Sequence, residues 1–172
     1  MTPWIILGIA LLVAAFLLYR GFARRNRRRA LLASSLTPQQ RASVEQLVPL
    51  VRRLPPTVRA AHEGKMALFL DQITFRGQNG VEVTEEMKLS IAAQACLLVV
   101  NSPVWYETLR NVLLYPSAFL THRDTHGDGV VYENQHATLG ESWARGPVIL
   151  SWDHALQGGL DAEDGHNVVI HE

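Results

Sequence analysis

Gly165-His166-Asn167-Val168-Val169-Ile170-His171-Glu172 is the stretch on which the reading of this 172-residue sequence turns. It reads as the opening turns of a helix that arrives at His-Glu. In the zinc-hydrolase motif H-E-x-x-H, two His four residues apart share one helix face and grip one Zn²⁺. The Glu sits beside the open coordination position as general base. The first His and the Glu are present as His171 and Glu172, and the second His would fall three positions beyond Glu172, past the last residue given. Alone, the dipeptide says little. A second pair, His62-Glu63, runs into Gly64, Lys65 and Met66 and makes no metal site. Val168-Val169-Ile170 is β-branched and would also suit a short strand.

Composition sets the wider frame. The sequence is 48% hydrophobic and 19% charged, a globular make-up with a membrane surplus. Cys96 is the only cysteine, so no internal disulfide forms, which fits a reducing compartment. The formal net charge of +0 conceals a split: six Arg lie between Arg20 and Arg29, and no acid precedes Glu45. From residue 30 onward, 10 Lys/Arg face 16 Asp/Glu, a net of −6. An acidic domain of this kind is a poor partner for nucleic acid.

Residues 1–19 carry no charged side chain and are nearly all apolar from Trp4 to Tyr19. That run is just long enough to cross about 30 Å of hydrocarbon as a helix. Trp4 and Tyr19 mark its ends, where amphipathic rings favour the interface. The Arg cluster follows the run, so the positive-inside rule puts that end in the cytoplasm. A cleaved signal peptide would carry its charge before the apolar run. The expected organisation is a transmembrane anchor over 1–19, a basic juxtamembrane linker over 20–35 and a domain over 36–172. The expected location is the inner (cytoplasmic) membrane, single-pass, with the domain facing the cytoplasm.

Within the domain, Thr37-Pro38-Gln39-Gln40 has the form of a capping box and starts a helix that Pro49 should kink or end. A second helix is predicted from about Thr57 to Ile73, buried along Met66, Phe69, Leu70 and Ile73, with His62 facing solvent. Gly77-Gln-Asn-Gly80 is a turn. Thr84 caps a helix from Met87 to Val100 that has apolar residues on nearly every face and should therefore be the central buried one, with Cys96 as a core residue. Asn111–Tyr115, Val130–Tyr132 and Pro147–Trp152 read as strands. Helices followed by strands make an α+β plan. Asp124-x-His126-x-Asp128-Gly129 has the outline of a calcium loop, but its third position is His126 and its twelfth Gln135, so it is rejected. His122 and His126 read as exposed histidines in a Gly-rich turn.

Three blocks in order carry a resemblance. They are Gly80-Val-Glu-Val-Thr-Glu-Glu-Met-Lys-Leu-Ser-Ile-Ala-Ala-Gln-Ala-Cys-Leu-Leu98, Val112-Leu-Leu-Tyr-Pro-Ser-Ala-Phe119, and Gly140-Glu-Ser-Trp-Ala-Arg-Gly-Pro-Val-Ile-Leu-Ser-Trp152 with Gly165–Glu172 behind it. From about Leu36 to its end, the chain resembles the Mlc titration factor A family of zinc-dependent peptidases. The resemblance implies a zincin-like metallopeptidase domain, of which this is the N-terminal part, using Zn²⁺ on a peptide or protein substrate. His171 matches the family's first zinc ligand and Glu172 its general base. The second His and a later acidic ligand have no counterpart here, so the chain is expected to be a fragment, inactive alone. Pro147–Trp152 is the candidate edge strand for aligning extended substrate, with an interior strand as the alternative. Glu141 and Trp143 either line the cleft or pack a corner. The rival reading is a non-catalytic module that binds a transcriptional repressor of sugar uptake, a partner the resemblance also implies.

Overall fold

Two threonines start helices by the same device. Thr37 Oγ1 accepts from the Gln40 N–H at 3.2 Å while the Gln40 side chain reaches back to the Thr37 N–H at 3.1 Å. Thr84 Oγ1 accepts from the Met87 N–H at 3.2 Å. The computed structural model describes residues 2–117, 119–127, 130–138, 140–142, 147–161 and 165–171, with backbone alone for 2–6 and for the strands within 119–142. Its elements are α1 (Thr2–Leu32), α2 (Pro38–Leu47), a 3₁₀ turn (Pro49–Arg53), α3 (Pro56–Gln72), β1 (Thr74–Gly77), α4 (Glu85–Val99), β2 (Asn111–Tyr115), β3 (Phe119–Gly127), β4 (Val130–Thr138), β5 (Gly140–Ser142), β6 (Val148–Ser151), α5 (Trp152–Leu160) and α6 (Val168–His171). The mixed helix and sheet content is as expected.

The main sheet has the order β1-β2-β6-β5. β1, β2 and β6 run parallel, with Phe75 beside Val112 and Leu114 beside Leu150, while β5 is antiparallel to β6. The parallel β1–β2 pair needs a long crossover, and α4 lies within it. β6 is therefore an interior strand. It is hydrogen-bonded on both sides, so it cannot be the substrate-aligning edge expected of Pro147–Trp152, and Trp152 already belongs to α5. Among the described strands of this sheet the edges are β1 and β5.

α4 is the buried axis. Ile91, Ala92, Ala93 and Cys96 are at most 1% exposed and pack with Met66 and Phe69 of α3 and Val112, Leu114 and Leu150 of the sheet. Burial pushes the Cys96 thiol up to about 12, which suits an inert core residue. The neighbouring loop is tied down by side chains: Trp105 Nε1 donates to Gln72 Oε1 at 2.7 Å, and the Tyr106 hydroxyl donates to the Ala95 carbonyl at 2.9 Å. Tyr106 also meets Phe69 edge-on at 5.7 Å.

His62 corrects the sequence reading. It is fully buried rather than solvent-facing, with Nε2 2.8 Å from the Ala93 carbonyl oxygen. Beside it, Glu63 is also buried. It accepts two hydrogen bonds from Arg41, at 2.8 and 3.0 Å, and one from the Leu36 N–H at 3.1 Å. These bonds satisfy a carboxylate that would otherwise be costly to bury.

Two further expectations change. The residues foreseen as a linker are helical as far as Leu32 and continue the apolar segment without a break. Leu7–Leu32 is long and apolar enough to cross a membrane, by length and composition, and its most apolar stretch is unburied by the rest of the chain. His122 and His126 lie on β3, which pairs with β4 in a hairpin, not in a turn. The rejected calcium outline thus falls on a strand, with Asp128 outside the described residues.

Candidate metal-binding site

Gly165 has φ 73°, a left-handed turn that glycine adopts without strain. It re-aims the chain before α6. Asn167 then begins the helix: its Oδ1 accepts from the Ile170 N–H at 3.0 Å, as a capping residue does. Its Nδ2 donates to the Gly158 carbonyl at 2.8 Å and so ties the start of α6 to α5. The fit is close, since a Cβ on Gly158 would stand 2.8 Å from Asn167 Cα.

The next residues divide by side. Val168 and Val169 are buried in the core cluster, whereas Ile170 and His171 are exposed. α6 packs on α4, α5, β5 and β6. The two buried valines form the inner face of a helical turn, which leaves His171 open to a ligand. Its Nε2 lies 3.3 Å from the Gly165 carbonyl oxygen, a long bond. A neutral ring donating from Nε2 carries its lone pair on Nδ1.

Beneath the site, α4 contributes Gln94, which is 1% exposed. Its Nε2 donates to the Ala155 carbonyl of α5 at 2.9 Å and to Ser90 Oγ at 3.1 Å. A cavity of about 70 Å³ lies between Gln94, Gly158, Gly159, His166, Asn167 and Ile170. No sequence motif singled out Gln94. Its signal was a lone amide in an otherwise apolar helix, which must find a buried partner.

Of the residues named from sequence, the structure places His171 and its preceding turn. Glu172 and Trp143 lie outside the described residues, and Glu141 lies on β5. No group of three His, Cys, Asp or Glu side chains able to hold a metal occurs among the described residues. A catalytic zinc takes three protein ligands. The described residues do not by themselves make such a site.

Comparison with known proteins extends this geometry. Residues 22–172 match the model of the glucose-regulated metallo-peptidase M90 family. An uncharacterized protein of Synechocystis is 38% identical over 151 residues, covering 85% of this chain and 54% of the relative. Mlc titration factor A of Klebsiella pneumoniae is 32% identical over 127 residues, covering 73% of this chain and 47% of the relative. Mlc titration factor A of Yersinia pestis is 34% identical over 105 residues, covering 60% and 38%. The chain thus spans about half the length, or less, of the curated relatives it matches. On the extent of the family match, the chain belongs to the glucose-regulated metallo-peptidase M90 family, together with the Mlc titration factor A proteins.

Proposed function

We propose that this chain is the N-terminal part of a zinc-dependent peptidase of zincin-like fold, held at the cytoplasmic face of a membrane by α1. His171 serves as one metal ligand and Glu172 as the carboxylate that takes the proton from the attacking water. A bound zinc supplies a nucleophilic water at neutral pH. The observation that carries the reading is the exposure of His171 on a turn whose other side, Val168 and Val169, is locked into the core, inside a family match that reaches 172. β5, the outer strand beside α6, offers the backbone edge for an extended peptide. Glu172→Gln in the full-length gene product should abolish peptide hydrolysis while leaving the fold intact. Unchanged hydrolysis contradicts the assignment.

The name of the Klebsiella and Yersinia relatives, Mlc titration factor A, favours a second reading. Here the domain sequesters a transcriptional repressor without chemistry. Repressor binding that survives His171→Ala and Glu172→Gln, in a protein with no hydrolytic activity, supports this alternative.

A further inference from the structure

The last turns of α1 are part of the folded domain. Arg27 is ion-paired with Asp71 of α3, and the Arg28 guanidinium lies 6.0 Å over the Trp105 ring. A Cβ on Gly64 of α3 would stand 2.1 Å from the Leu32 carbonyl oxygen, so the two helices touch backbone to backbone. Three separate contacts within six residues fix the direction of α1 relative to α3. A flexible tether would make none.

The same turns carry charge that the domain does not use. Arg24 and Arg25 are exposed and have no acidic partner among the described residues. Arg24 stands one turn before Arg28, on the side of α1 that meets Trp105. Val104, the neighbour of Trp105, is 67% exposed. The Arg28 guanidinium thus covers a half-buried indole whose neighbour in sequence protrudes.

Distances along the helix place this mixed face. At about 1.5 Å per residue, Arg24 and Arg25 lie roughly 8–9 Å beyond Tyr19, and Arg27 and Arg28 roughly 12–14 Å beyond it. The headgroup layer extends about 5–8 Å past the hydrocarbon. With the apolar run in hydrocarbon, Arg24 and Arg25 stand at the outer headgroups and the contact of Arg28 with Trp105 lies beyond them.

We propose that the domain docks on an anionic phospholipid surface through Arg24 and Arg25, with the exposed Val104 facing the outer headgroups and α1 as a rigid strut. The docking rests on the anchoring reading given under Proposed function. Guanidinium groups pair with phosphate oxygens. The rest of the domain, net −6 from residue 30 onward, is repelled by such a surface, so the charge distribution selects this face.

The test uses the full chain in lipid nanodiscs, with Val104→Cys carrying a polarity-sensitive fluorophore. Cys96 is buried and stays unlabelled. Discs contain phosphatidylcholine with or without phosphatidylglycerol, plus a headgroup-level nitroxide quencher. In phosphatidylglycerol discs the label should shift to the blue and be quenched. Both signals should weaken in high salt and be lost in Arg24→Gln/Arg25→Gln, with the protein still embedded. An embedded protein whose label reports bulk water in phosphatidylglycerol discs overturns the docking and leaves the anchor standing. Equal signals in phosphatidylcholine discs and in the double variant overturn the recognition of anionic lipid. A chain that does not embed at all removes the anchor, and the docking with it.

Discussion

Asn167 and Gly158 are joined by a hydrogen bond of 2.8 Å from the Asn167 amide to the Gly158 carbonyl, and the other half of that amide caps α6. One side chain thus sets both the start of the helix bearing His171 and its place against α5. Asn167→Ala removes both bonds. Loss of the cap alone costs about 0.5–2 kcal/mol. Urea denaturation should show a lower midpoint at unchanged slope. Asn167→Asp keeps the capping oxygen and should fall between the two.

Gly158→Ala tests the packing. Its Cβ would meet Asn167 Cα at 2.8 Å and the His166 carbonyl oxygen at 3.0 Å, both backbone atoms that cannot swing aside. Alanine gains about 1 kcal/mol of helix propensity over glycine, and overpacking costs about 1–3 kcal/mol. The clash should win, giving a lower thermal midpoint. Gly21→Ala in α1 meets nothing within 4 Å and should not lower it.

Acid should destabilise the domain in two stages. Burial lowers the His62 pKa below its ordinary 6.5, against the opposing influence of the Ala93 carbonyl and Glu63. The folded state prefers the neutral ring, so this stability is full above 6.5 and is lost as pH falls through the folded value. For Glu63, burial pushes upward, but the hydrogen bonds from Arg41 and Leu36 and the charges of Arg41 and Arg59 outweigh it and hold the carboxyl below its ordinary 4.5. That contribution is full above 4.5 and is lost as pH falls through the depressed folded value. Urea midpoints measured against pH should decline first below 6.5 and then more steeply below 4.5. His62→Gln, which keeps a donor for Ala93, should flatten the first decline, and Glu63→Gln the second.

Local chemistry was legible in the sequence, and long-range packing was not. The Thr37 and Thr84 caps and the apolar run of α4 are encoded within a few residues, and each was read correctly. α5 was missed because Gly158 and Gly159 argue against a helix, yet both are there so that α5 can approach Asn167 and Gln94. β1 was missed because it has four residues and its partner, β2, is distant in the chain. His62 was misplaced although the signal was present: it lies four residues before Met66 and seven before Phe69, on the buried face. The edge strand was misassigned because strand order depends on pairings that periodicity does not reveal. At the site, the sequence named His171, and the structure adds Asn167, Gly158 and Gln94 as its supports.

The metal itself is the most direct test of the central claim, that His171 is a ligand. Zinc content of the purified full-length gene product should be measured by mass spectrometry after dialysis, beside His171→Ala and Glu172→Gln. About one zinc per chain is expected for the parent and for Glu172→Gln, with His171→Ala losing it, since a catalytic zinc takes three protein ligands. Zinc retained undiminished by His171→Ala, or absent from the parent, contradicts the account.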